Sequence, residues 1–279
     1  MNGDELLGNI VRWANENENI LAIIQTGSHA RSDEMVDEFS DYDIELIGRD
    51  NTQLVQSDDW IQQFGLVWIQ QSFKEGQDYP TKLVIYESGI KVDFTLADEQ
   101  RILNMNAKLD DLYQRGYKVL LDKFGITKKL PKPTGQGPTN KPPTQDEYLA
   151  AVGEFWFEAS HIPKYLVRED LWVVKFRDWT MKEMMLKMLE WYAITRTDYP
   201  AEVWHIGTHI QHWLEPKKYD RLQLIFAHFD GKDSWKALLA ELDLFRDISR
   251  AVADQLGYQY PTEMDMNISN YVRSFEGRL

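Results

Sequence analysis

The stretch Ile20 to Ile47 constrains this chain most: an apolar run ends at Gly27-Ser28, a polar segment follows, and Asp41-Tyr42-Asp43 opens a second apolar run. Both runs are rich in isoleucine and short, which predicts two strands. Residues two apart on a strand share a face, so Asp41 and Asp43 project together at the start of the second one. Two carboxylates on one face repel unless a cation lies between them. A hard ion such as Mg²⁺ takes oxygen ligands, commonly one or two carboxylates plus substrate phosphates. A nucleoside triphosphate would complete that shell. Gly27 lets backbone approach a phosphate closely, and the Ser28 hydroxyl and neighbouring N–H groups are natural donors to it.

In-line phosphoryl chemistry with two ions needs a third carboxylate, and Asp93 in Lys91-Val92-Asp93-Phe94-Thr95-Leu96 is the candidate. It is an isolated acid inside an apolar strand, a costly place for a charge unless it is paired or metal-bound. A D-x-D pair alone more often marks a solvated strand end, and Gly-Ser alone says almost nothing. Their combination, strand by strand, is what carries the reading.

Composition limits the partners. The chain has 279 residues, no cysteine and a formal net charge of −14. Binding to a nucleic-acid backbone relies on clustered Lys and Arg, so nucleic acid is not the expected partner. An acidic surface instead concentrates polycationic small molecules, although acidity also simply keeps a protein soluble. Disulfides and thiolate metal sites are excluded. No apolar run approaches the roughly 20 residues of a membrane helix. The start Met1-Asn2-Gly3-Asp4-Glu5 lacks the basic opening of a signal peptide. A cytoplasmic protein without a membrane partner is expected.

Taken in order, Asp4 to Glu18 carries a helical apolar stripe with Asp4 as N-cap. Asp50 to Phe64 reads as helical, with Ser57-Asp58-Asp59 starting a second short helix at Trp60. Strands are predicted at Leu66 to Phe73, Thr81 to Glu87, Ile90 to Leu96 and Tyr117 to Asp122, and a helix at Asp98 to Arg115. This order predicts a mixed sheet with flanking helices. Pro131 to Pro143 is rich in proline and glycine and nearly free of apolar side chains, which predicts a linker. Beyond it, helical spacing recurs in Tyr148 to Leu166, Leu171 to Ile194, Val203 to Leu214, Tyr219 to Phe229, Ser234 to Leu256 and Met266 to Phe275. The fold class is therefore α+β: an N-terminal mixed sheet over residues 1–127, a linker over 128–145 and a C-terminal helical bundle over 146–279. The aromatic and methionine side chains of the bundle, Trp172, Phe176 and Trp179 among them, are expected to pack in its core.

Gly27-Ser28, Asp41-Tyr42-Asp43-Ile44 and Val92-Asp93-Phe94-Thr95-Leu96 resemble the signature of the nucleotidyltransferase (polymerase-β-like) superfamily. Asp37-Glu38-Phe39-Ser40-Asp41-Tyr42-Asp43-Ile44, Ser57-Asp58-Asp59-Trp60, Glu154-Phe155-Trp156, Met188-Leu189-Glu190-Trp191 and Asn267-Ile268-Ser269-Asn270-Tyr271-Val272 resemble the aminoglycoside 6-adenylyltransferases, which modify streptomycin. The matching segments run through nearly the whole chain. The resemblance implies transfer of AMP from ATP to a hydroxyl of a cationic aminoglycoside, with release of pyrophosphate. It implies one Mg²⁺ bridged by Asp41, Asp43 and Asp93, and a second held by Asp41 and Asp43.

A sugar hydroxyl is a poor nucleophile at neutral pH, so a general base is expected. Glu154, within the matching Glu-Phe-Trp, is preferred over Asp178, which can pair with Lys182 one helical turn on. Family members commonly carry a basic residue directly after Gly-Ser; here His29 stands there, with Arg31 two further on as its replacement towards the triphosphate. A second departure is Ile206-Gly207-Thr208-His209-Ile210-Gln211, where the family pattern has lysines. His205, His209 and His212, expected on one helix, are read as polar lining or phosphate contacts rather than a zinc site. Two alternatives stay open: the same chemistry on another acceptor, whether a different antibiotic or a protein, and a silent nucleotide-binding regulator. The presence of all three acids weighs against the silent reading.

Overall fold

The computed structural model describes residues 1–31, 36–73, 78–137, 140–196, 203 and 206–278. The chain divides into two compact units, Met1–Pro138 and Thr139–Leu279.

The first unit opens with α1 (Gly3–Glu16). Its cap is Asn2 rather than Asp4: the Asn2 side chain accepts from the Glu5 N–H at 2.9 Å, and Glu5 accepts from the Asn2 N–H at 3.0 Å. This reciprocal box satisfies two N–H groups that the helix leaves open, and moves Asp4 into the first turn. Six strands follow: β1 (Ile20–Thr26), β2 (Tyr42–Gly48), β3 (Val67–Phe73), β4 (Thr81–Tyr86), β5 (Lys91–Asp98) and β6 (Lys118–Asp122). They form one sheet in the order β3-β4-β5-β2-β1-β6. β2 and β5 run parallel, while the other neighbouring pairs are antiparallel, so the sheet is mixed as predicted.

Both faces of the sheet are covered. Ile44, Leu46, Val92, Phe94 and Leu96 alternate onto one face and join a core with Leu6 and Ile10 of α1 and with Trp60, Ile61 and Phe64. Ile24, Ile47 and Ala97 lie on the other, against Ile102, Met105 and Tyr113. Each fully buried Leu, Ile or Phe contributes roughly 1.5–3 kcal/mol. The break expected at Ser57-Asp58-Asp59 is present, and the helix expected over Asp98 to Arg115 is interrupted. Asp50 to Phe64 yields α2 (Thr52–Gln56) and a single turn at Ile61–Gln63. Asp98 to Arg115 yields α3 (Glu99–Met105) and α4 (Asp111–Arg115), the second capped by Asp110, which accepts from the Tyr113 N–H at 2.9 Å. In both cases local side-chain caps compete with helix continuation. The proline-rich segment is fastened on this side by Tyr117, whose hydroxyl donates to the Pro131 carbonyl at 3.0 Å, and by the Gly135 N–H, which donates to Gln114 at 2.9 Å.

The described residues of the second unit carry helices and no strand. They are α5 (Gln145–Ala159), α6 (Ile162–Val167), α7 (Leu171–Thr195), α8 (Ile210–Trp213), α9 (Pro216–Leu222), α10 (Gly231–Leu256) and α11 (Thr262–Arg273). α7 packs against α5 and α10. The Phe155 and Phe245 rings stack at 3.6 Å at the centre of this bundle. Pro163 at the start of α6 explains why Tyr148 to Leu166 is two helices, because proline fits the first turn of a helix and not its interior. Trp156, Met181, Met185 and Met188 are buried as expected, but Trp172, Phe176 and Trp179 are 79, 70 and 60 % exposed. α7 is apolar on nearly every side, so periodicity alone cannot choose its inner face.

Candidate active site

The site grows from strand register. β2 and β5 are parallel neighbours with Asp43 opposite Asp93, and paired residues project to the same face. Asp41 lies two residues before Asp43, and Lys91 two before Asp93, so four charged side chains meet at the start of the strands. Lys91 Nζ donates to Asp41 Oδ2 at 2.5 Å and to Asp93 Oδ2 at 3.0 Å. Gly27 comes up against Asp43: it has φ of 65°, and a Cβ there would lie 1.8 Å from Asp43 Oδ2. Only glycine permits both the backbone conformation and the approach.

The electrostatics are strained in one direction. Burial, followed by the nearby Asp93 and Asp41 carboxylates, pushes the Asp43 carboxyl up to about 6, against the pull of Lys91 and Arg31. Burial raises Asp93 as well, partly countered by Lys91. Burial lowers the Lys91 ammonium, but its bonds to Asp41 and Asp93 outweigh that and hold it above its ordinary value. Asp93 Oδ1 is buried without a hydrogen-bond partner. With Asp43 and Asp93 raised despite these cations, and Asp93 Oδ1 unpaired, the acid group stays short of positive charge and of donors.

This donor set is all oxygen and anionic, the chemistry a hard divalent cation requires, and no protein donor satisfies Asp93 Oδ1. Asp41, Asp43 and Asp93 could hold such an ion. Among the described residues, no three His, Cys, Asp or Glu side chains are drawn together tightly enough to do so as they stand. The Lys91 ammonium lies between two of the acids.

The remaining candidates are placed as follows. Ser28 begins a single helical turn, Ser28–Ala30, directly after Gly27. His29 stacks on Tyr42 with ring centroids 4.2 Å apart, and its Nε2 lies 3.2 Å from the Ser40 carbonyl. Its own carbonyl accepts from Lys118 Nζ at 2.5 Å. His29 thus fastens the turn to the approach to Asp41. A cavity of about 500 Å³ opens beside these groups, lined by Asp37, Glu38, Asp41, Ser88 and Lys91 among others. In the second unit, Glu154 is exposed on α5. Asp178 pairs with Lys182 at 2.7 Å, as its spacing implied, and Lys182 also donates to the fully buried Glu241 at 2.6 Å. His209 has φ of 56° and precedes α8, so it shares no helix with His212; His205 lies outside the described residues.

Sequence reasoning missed two features. One is Lys91, although its place two residues before Asp93 already put both on one face. The other is Glu45, two residues after Asp43 on the same face and 3 % exposed. It accepts from Arg101 Nε and Nη2 at 3.3 and 3.2 Å and from the Tyr113 hydroxyl at 2.7 Å. Arg101 also reaches Asp110 at 2.6 Å. This buried pair fixes β2 from behind the acids.

Among the described residues, no helix is long and apolar enough to cross a membrane. A sequence model of the family described as streptomycin adenylyltransferase matches residues 1–275. The chain is 26% identical over 275 residues to an aminoglycoside 6-adenylyltransferase of Bacillus subtilis (strain 168), covering 96% of this chain and 95% of the relative. It is 25% identical over 272 residues to a protein of that name from Campylobacter jejuni, covering 94% and 92%. To another from Staphylococcus aureus it is 24% identical over 278 residues, covering 97% of each. With a mixed sheet that gathers paired strand carboxylates behind a glycine turn, and a family match from the first residue almost to the last, this chain belongs to the streptomycin adenylyltransferase family of nucleotidyltransferase enzymes.

Proposed function

We propose that this enzyme transfers AMP from ATP to a hydroxyl of an aminoglycoside, with streptomycin as the first acceptor to test. The observation that carries the reading is the opposition of Asp43 and Asp93 across parallel strands, with Asp41 beside them and Gly27 against Asp43. Related proteins over nearly the whole length bear the name aminoglycoside 6-adenylyltransferase.

Asp41, Asp43 and Asp93 would hold Mg²⁺, one ion on all three and a second on Asp41 and Asp43. Bound there, Mg²⁺ would polarise the α-phosphate, favour ionisation of the attacking hydroxyl and neutralise the leaving pyrophosphate. Ser28 and the N–H groups of its turn would donate to the triphosphate, and His29 and Arg31 would supply positive charge nearby. Glu154, exposed on α5, would accept the proton of the attacking hydroxyl. The acids Asp37 and Glu38 in the cavity suit ammonium or guanidinium groups, as a polycationic acceptor carries, better than they suit an anion.

Incubation with labelled ATP, Mg²⁺ and a panel of aminoglycosides tests the reading. Pyrophosphate release that depends on streptomycin supports it. Release with a different acceptor alone would move the substrate, and nucleotide binding without turnover on any acceptor would refute the reaction.

A further inference from the structure

Lys91 occupies an unusual place for a lysine in a site that must bind a cation. Its ammonium bridges Asp41 and Asp93 at 2.5 and 3.0 Å. The side chain is 30 % exposed, so it reaches the acids from the open side and is not locked into the core. It satisfies one oxygen of each partner and leaves Asp93 Oδ1 buried with none. It also joins the start of β5 to the residue just before β2, the two chain segments that carry these acids.

The ammonium lies between Asp41 Oδ2 and Asp93 Oδ2, so an ion that drew these two carboxylates into one shell would have to take its place. The ion approaches carboxylate oxygens to about 2.0–2.1 Å for Mg²⁺ and draws them into one shell, which leaves no room for an ammonium between them. Without any cation the three carboxylates would repel one another, and the strand starts that carry them would splay. We propose that Lys91 is a placeholder: it bridges Asp41 and Asp93 in the metal-free enzyme and is expelled from between them when the divalent ion enters. It is a positioning residue, keeping the acids in register until the metal arrives. The inference rests on the reading of the three acids as a metal site.

Lysine acylation read by mass spectrometry tests it on the full chain, with Mn²⁺ as the probe because it takes the same oxygen ligands as Mg²⁺. Mn²⁺ binding is measured in parallel by electron paramagnetic resonance. The expected result is that Mn²⁺ binds and the acylation rate of Lys91 rises at least threefold, while Lys123, at the opposite end of the same sheet, keeps its own. Mn²⁺ binding with unchanged or slower acylation of Lys91 would overturn the placeholder and leave the metal site standing. No Mn²⁺ binding, either alone or with a non-hydrolysable ATP analogue present, would overturn the metal reading itself. The Lys91→Met variant gives a second readout. Its melting temperature without metal should fall below that of the parent, and its Mn²⁺ affinity should rise several-fold. An affinity equal to or below the parent's, in a variant with native circular dichroism, would contradict the exchange.

Discussion

Asp43 on β2 and Asp93 on β5 stand opposite each other across a parallel strand pair, two acids held on one face by the register of the sheet. The arrangement costs stability while no metal is bound. The Asp43 carboxyl is raised to about 6, so the folded protein binds that proton more tightly than the unfolded chain does. The contribution is therefore lost as pH rises from the ordinary carboxylate range through about 6. Asp43→Asn should be more stable than the parent at pH 8 without metal, by roughly 1–3 kcal/mol, and should lose turnover by orders of magnitude. Urea unfolding and a pyrophosphate assay check both halves.

The same raised carboxyl predicts proton release. A divalent ion must displace the Asp43 proton wherever that proton is present, so affinity should fall as pH drops below about 6. Calorimetric titration with Mn²⁺ at pH 5.5, in buffers of different ionisation enthalpy, should report protons released on binding. At pH 8 that release should be much smaller.

Gly27→Ala tests the turn. The added methyl group would fall on Asp43 Oδ2 and force a left-handed backbone on alanine. Loss of about 1–3 kcal/mol is expected, with a loss of activity larger than the stability change explains, because the acid itself is displaced. Equilibrium unfolding and steady-state kinetics on one preparation separate the two effects.

Arg101→Met tests the support behind the site. It would strand Glu45, 3 % exposed, with only the Tyr113 hydroxyl. Breaking a buried pair by removing one partner typically costs about 3–5 kcal/mol. Replacing Glu45 by Gln in the same protein should recover part of that loss, as read by thermal unfolding.

Much of the sheet was legible because each strand alternates or runs apolar between clear breaks, and because residues two apart must share a face. That logic alone brings Asp41 to Asp43, and it would have brought Lys91 to Asp93. It could not say which strands pair, and pairing is what sets Asp43 against Asp93. Lys91 meets Asp41 only through the pairing of β2 with β5, which no local pattern marks. The Arg101–Glu45 pair joins residues far apart in sequence, and no local pattern marks it. In the bundle, Trp172, Phe176 and Trp179 share the composition of the buried residues around them, so only tertiary packing separates exposed from buried.

The most direct test of the central claim is ³¹P nuclear magnetic resonance of the enzyme incubated with ATP, Mg²⁺ and streptomycin. A new phosphodiester resonance should grow with pyrophosphate in equal amount, and Asp93→Asn should abolish both. Unchanged ATP with every aminoglycoside tried, or the same phosphodiester formed at parental rate by Asp93→Asn, would contradict the account.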